Sequence, residues 1–166
     1  MGGRNSVKAH IGLGANLGNA ADAFRAALAA INTLPETAVR AVSSLYQTAP
    51  LEIEDGDAGD DYLNAVAEVE TTLTAPELLS HLLRLELQAG RERPYRHAPR
   101  TLDLDLLMYG SAQMASQQLM LPHPRMMQRA FVLVPLAEIA PGLVSAAQLQ
   151  AVSGQAIKQA GKLQPA

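Results

Sequence analysis

An α+β sandwich built on a mainly antiparallel sheet is the architecture this sequence predicts. Two segments alternate apolar and polar residues at the period of a half-buried strand. Two others carry apolar stripes at helical spacing. The elements follow one another as strand, helix, strand, strand, helix, strand, an order that packs helices against one sheet.

The first strand is the apolar run Val7 to Leu13, ending in a turn marked by Gly14, Asn16 and Gly18. Phe24, Leu28 and Ile31 then define the buried face of a helix that stops before Pro35, because proline disfavours helical geometry in the residue before it. A second strand is expected from about Val39 to Tyr46. The acidic, glycine-containing stretch Glu52 to Asp61 reads as a solvated loop. From Tyr62 to Thr71 the residues alternate, with Leu63, Ala65, Ala67 and Val69 on one face and Tyr62 and Asn64 on the other. Thr74 and Glu77 form a capping box for a second helix, whose stripe is Leu78, Leu82, Leu85 and Ala89 and whose expected stop is Gly90. In the last strand, Thr101 to Tyr109, Leu102, Leu104 and Leu106 face the core while Asp103 and Asp105 point away. A ferredoxin-like sandwich follows, with helices packed on one sheet face and the polar ends of two strands sharing the other. Beyond Pro141 the tail is weakly patterned.

The chain has 166 residues, which fits a single domain over 1–166 with residues 1–6 as a loose N-terminal tail. At 48% hydrophobic and 17% charged residues with a formal net charge of −3, it is neither disordered nor broadly basic, so nucleic acid is not an expected partner. Cysteine is absent, which leaves oxygen and imidazole ligands for any metal and makes Mg²⁺ the default. The opening residues lack a signal-peptide core and no run is apolar enough to span a bilayer. A soluble, cytoplasmic monomer with no membrane partner is expected.

Gly12, Gly14 and Gly18 resemble a dinucleotide-binding turn, but the third glycine comes one residue late and no βαβ unit follows. The stronger signal is Asp103 and Asp105, which project about 7 Å apart from one strand face and can share a cation. Arg91, Arg93, Arg96 and Arg100 precede them, and His123, Arg125 and Arg129 follow. Carboxylates that bind Mg²⁺, with guanidiniums to neutralise phosphate oxygens, suit a polyphosphate. Exposed ion pairs contribute only about 0–1 kcal/mol each, so stability alone gives little reason for this density of charge.

In order and spacing, the stretches GLGANLG, SSLYQTAPL, DYLNAV, LELQAGR, APRTLDLDLLMYG, LPHPRM and RAFVLVPLAEIAP resemble the 6-hydroxymethyl-7,8-dihydropterin pyrophosphokinase family, from about Ala9 to Leu143. The resemblance implies a ferredoxin-like fold and transfer of the β,γ-pyrophosphate of ATP to the pterin hydroxyl in folate biosynthesis, with AMP as leaving group. It also implies that Asp103 and Asp105 hold two Mg²⁺ ions, that Arg91 and Arg100 are catalytic and phosphate-binding, and that Glu86, Arg93, His123 and Arg129 make further ATP contacts. Tyr62 and Phe131 would sandwich the pterin and Asn64 would bond its edge, with Thr48 and Leu51 supplying backbone groups on the same ring. The sequence departs from the family pattern at His97, where a tryptophan commonly stands, and at Pro94, which replaces a basic residue. Leu83 and Pro124 replace polar or aromatic residues on the nucleotide side.

Overall fold

A computed structural model of the chain describes residues 5–16, 20–48, 62–90 and 102–163. In chain order the elements are β1 (Val7–Asn16), α1 (Ala20–Asn32), β2 (Thr37–Val42), β3 (Ser44–Thr48), β4 (Tyr62–Thr71), α2 (Ala75–Gly90) and β5 (Asp103–Tyr109). A small hairpin, β6 (Met114–Ala115) and β7 (Met120–Leu121), precedes α3 (Ala130–Ile139), α4 (Ala146–Ala151) and β8 (Ile157–Lys162). The main sheet runs β5-β1-β4-β3-β8, with β2 also on β4, and every pairing between described strands is antiparallel. This is the predicted ferredoxin-like order, extended by β8.

Alternation along the strands decides what each face of the sheet meets. Ala9, Ile11, Leu13 and Ala15 of β1, Leu63, Ala65, Ala67 and Val69 of β4, and Leu104 and Leu106 of β5 share one core with Phe24 and Ile31 of α1 and Leu78 and Leu82 of α2. The capping box forms as expected, the Thr74 N–H donating to Glu77 Oε1 at 2.7 Å and the Glu77 N–H to Thr74 Oγ1 at 3.2 Å.

Three features differ from the sequence expectation, each for a local reason. β1 continues through Gly14 to Asn16 instead of turning at Gly14, because Gly14 has strand partners on both sides, Asn64 and Asp103. The second strand is broken at Ser43. There the Ser43 N–H donates to the Val66 carbonyl and the Val66 N–H donates to Ser43 Oγ, both at 2.9 Å, so a side-chain oxygen takes the place of a ladder carbonyl. Finally, α1 and α2 lie on one face as predicted, but α3 covers the opposite face, where Val66 and Leu107 pack with Met126, Leu133 and Leu136. The sequence AFVLVPLAEI is apolar on nearly every side, so the helix is stable only when covered, and the second sheet face supplies the cover.

Glu138 fixes α3 in place. Its carboxylate accepts from the Ser44 N–H at 3.0 and 3.1 Å, from Ser44 Oγ at 2.9 Å and from the Tyr46 hydroxyl at 2.7 Å. Burial alone would raise the pKa of Glu138, but these donors and nearby Lys162 outweigh it and hold the group below its ordinary value. The Tyr46 hydroxyl is pushed up to about 12, by burial first and then by the carboxylate it serves.

A second buried polar pair predicts an acid-side loss of stability. His10 is 3% exposed, its Nε2 lies 3.0 Å from Glu68 Oε1, and its Nδ1 has no partner among the described residues. Its pKa is lowered from 6.5, chiefly by burial, against the opposing pull of Glu68. The unfolded chain takes up a proton near 6.5 and the folded chain does so only at lower pH, so stability falls as pH drops below 6.5. His10→Gln should flatten this limb. Urea unfolding at about pH 7.5 and about pH 5.5 checks it, with the wild type losing more stability than the variant between the two.

Candidate active site

The site occupies the end of the second sheet face that bears the polar residues. Asp103 stands opposite Gly14 across the β1–β5 ladder, Gly14 opposite Asn64 across β1–β4, and Asn64 opposite Tyr46 across β3–β4. Asp105 stands opposite Gly12 in the same way. With strands about 4.8 Å apart, Asp103 and Asn64 are about 10 Å apart across the sheet, separated only by a residue without a side chain. A Cβ on Gly14 would lie 3.4 Å from Asn64 Oδ1, so the glycine leaves bare floor between the carboxylates and the carboxamide.

Asn64 is buried, and its Nδ2 donates to Thr48 Oγ1 at 3.1 Å, which orients the carboxamide. Tyr62 pairs with Thr48 two residues nearer the strand end and is half-buried. On the far flank, the β1–β5 register shifts between His10 and Ile11, leaving Leu107 as the extra residue of a bulge. The Leu107 carbonyl accepts from the His123 N–H at 2.9 Å, so the bulge holds the His123 segment beside the aspartates.

Electrostatics link these groups. Asp105 opens onto a cleft, yet surrounding protein atoms raise its pKa above the ordinary carboxylate value; His123 opposes that shift, Asp103 adds to it and Arg129 again opposes it. Arg129 ends in extended geometry as the N-cap of α3, and its guanidinium carbon lies 5.3 Å from the centroid of the Phe131 ring. One arginine thus lies over the aromatic flank while its charge is felt at the carboxylate flank. Among the described residues no ring contact joins Tyr62 to Phe131, although β4 and α3 pack together.

Beside β5 lies the cleft itself, about 280 Å³, lined by Glu86, Asp105 and His123 with an apolar wall that includes Leu79, Leu83 and Met120. Three residues expected at a nucleotide and metal site therefore share one cavity. The Glu86 Oε2 accepts from the Leu104 N–H at 2.7 Å. Among the described residues no cluster of three or more metal-ligating side chains occurs. Two crowded carboxylates on one strand face still suit Mg²⁺, which commonly takes one or two protein carboxylates and fills its other positions with water and phosphate oxygens. Arg91, Arg93, Arg100 and Leu51 lie outside the described residues.

Glu138 and Ser43, which shape the walls of this face, carry no signal that composition or periodicity detects. The carboxylate is a lone charge in an apolar run, and the serine reads as an ordinary strand residue.

A ferredoxin-like sheet with paired carboxylates and an adjoining cleft suits phosphoryl transfer, and the proteins the chain matches are pyrophosphokinases, enzymes of the diphosphotransferase class. The chain belongs to the 7,8-dihydro-6-hydroxymethylpterin-pyrophosphokinase family, whose model it matches over residues 10–141. It is 44% identical over 138 residues to the 2-amino-4-hydroxy-6-hydroxymethyldihydropteridine pyrophosphokinase of Haemophilus influenzae, covering 83% of this chain and 84% of that one. The protein of the same name from Methylorubrum extorquens is 40% identical over 161 residues, covering 96% of this chain and 95% of the relative. Among solved structures, the Plasmodium falciparum HPPK-DHPS S436F/A437G/A613T triple mutant with STZ-DHP superposes with a TM-score of 0.66 at 14% identity over 85% of this chain. This chain spans 41% of that larger one, and the likeness speaks to the fold. No helix among the described residues is long and apolar enough to cross a membrane.

Proposed function

We propose that this chain transfers the β,γ-pyrophosphoryl group of ATP to the hydroxyl of 6-hydroxymethyl-7,8-dihydropterin, releasing AMP in folate biosynthesis. The observation that carries the reading is the cross-strand row Asp103, Gly14, Asn64, which sets phosphate-end and acceptor-end chemistry on one continuous floor. The acceptor ring lies against Tyr62 and Phe131, with the Asn64 carboxamide and the backbone at Thr48 and Leu51 selecting its donor and acceptor edge. The triphosphate runs from the cleft lined by Glu86 and His123 toward Asp103 and Asp105. Arg91, Arg93, Arg100 and Arg129 neutralise its oxygens.

Asp103 and Asp105 would hold two Mg²⁺ ions, which supply charge neutralisation on the phosphate oxygens when bound. The acceptor oxygen forms a bond to the β-phosphorus, the bond from that phosphorus to the α,β-bridging oxygen breaks toward AMP, and the hydroxyl proton is released to solvent. Phosphoryl-type transfer needs little covalent chemistry from protein, so positioning and fixed charge supply most of the acceleration. We propose a cytoplasmic monomer as the working form. Titration calorimetry with a non-hydrolysable ATP analogue tests the metal assignment. Affinity should fall at least about tenfold when Mg²⁺ is chelated, and unchanged affinity would count against it.

A further inference from the structure

Resting on that functional reading, we propose that Glu86 is a positioning residue: its carboxylate clamps the edge strand between the two aspartates and fixes their spread, in place of serving as a nucleotide ligand. Among the described strands β5 is an edge of the sheet and pairs on one side only, and alternate amides point outward. The outward N–H of Leu104 is the one between Asp103 and Asp105, and Glu86 Oε2 accepts it at 2.7 Å, a charge-assisted length. On the peptide unit joining Asp103 to Leu104, rotation would turn the Asp103 side chain relative to that of Asp105.

Two further observations make the clamp more than a surface contact. The regular β1–β5 pairing that carries the aspartates is short, running from Asp103 to Leu106 before the bulge at Leu107, so the ladder alone holds this segment weakly. The clamp also comes from a rigid support. α2 is anchored by Leu78 and Leu82, both fully buried, and the Leu104 side chain is 2% exposed in the same core. Leu104 is therefore held at its side chain by the core and at its amide by Glu86, and the carboxylates on either side inherit a fixed direction.

Glu86→Ala and Glu86→Gln test the assignment by two readouts. Amide exchange of Leu104 in the ligand-free protein, followed by NMR with the Ile11 amide as an internal control of folding, reports the clamp itself. In Glu86→Ala it should accelerate about tenfold or more while Ile11 is unchanged, and Glu86→Gln, which keeps a carbonyl acceptor, should restore most of the protection. In turnover, Glu86→Ala should lower kcat about tenfold or more with less than about a threefold change in affinity for the ATP analogue, again with rescue by Gln. Unchanged Leu104 exchange in Glu86→Ala, or a loss confined to nucleotide affinity that Gln does not rescue, overturns the proposal and makes Glu86 a direct ligand. If instead the wild-type protein forms no pterin pyrophosphate, the functional reading fails, and the exchange measurement still decides the clamp.

Discussion

Asp105→Ala should abolish turnover, by about a thousandfold or more, and leave the fold standing. The side chain lies off the core face shared with α1 and α2 and opens onto the cleft, so its removal uncovers none of that core and the unfolding free energy should move within about 0.5 kcal/mol. The chemistry has no substitute for it. On the proposed mechanism the transferring oxygens would lose a carboxylate that would hold metal at the point where charge develops, and one fixed charge contact of this kind is worth about a hundredfold to a thousandfold even without a metal. Asp103→Ala should behave alike, since it projects from the same face two residues away. Steady-state kinetics beside urea unfolding separates the effects: turnover within tenfold of wild type in either variant would remove the carboxylates from the mechanism.

Asn64→Ala should weaken binding of the reduced pterin by about 1–3 kcal/mol, roughly 5- to 150-fold, the cost of leaving a buried polar partner unsatisfied. ATP analogue binding should hardly change, because Asn64 lies across Gly14 from the carboxylates and does not line the cleft. Its Nδ2 is already oriented by Thr48 Oγ1 at 3.1 Å, so Thr48→Val should reproduce part of the loss without removing the carboxamide. Calorimetric titration of each ligand into each variant checks this, and equal losses for both ligands in Asn64→Ala would mean that the site or the fold has been misjudged.

What the sequence makes legible is whatever repeats. Period two along β4 and β5 places Leu63, Ala65 and Leu104 inward and Asn64, Asp103 and Asp105 outward, and the structure keeps that division. Helical stripes and the Thr74 and Glu77 capping box mark α1 and α2 for the same reason. Elements that do not repeat are hidden. The run AFVLVPLAEI has no polar face to set its direction, so its place on the second sheet face is decided by Val66, Leu107 and the Glu138 partners Ser44 and Tyr46, all distant in sequence. β8 is an exposed edge strand with little burial to pattern it, and α4 is announced only by the capping box of Ser145 and Gln148.

The site divides in the same way. Asp103, Asp105 and Asn64 are visible because a strand's period aligns them. The position of His123 depends on a bulge at Leu107, and the reach of Arg129 to Phe131 depends on the extended N-cap of α3; neither is written in local spacing. Gly14 reads as a turn residue in one dimension, and only the pairing on both sides of β1 reveals it as the open floor between two halves of a site.

The most direct measurement is phosphorus NMR of the products after mixing the protein with ATP, Mg²⁺ and 6-hydroxymethyl-7,8-dihydropterin. The expected spectrum contains AMP and a pterin pyrophosphate in equal amounts, formed only when the pterin is present. ADP or inorganic phosphate as the product, or ATP consumption that does not depend on the pterin, would contradict pyrophosphoryl transfer.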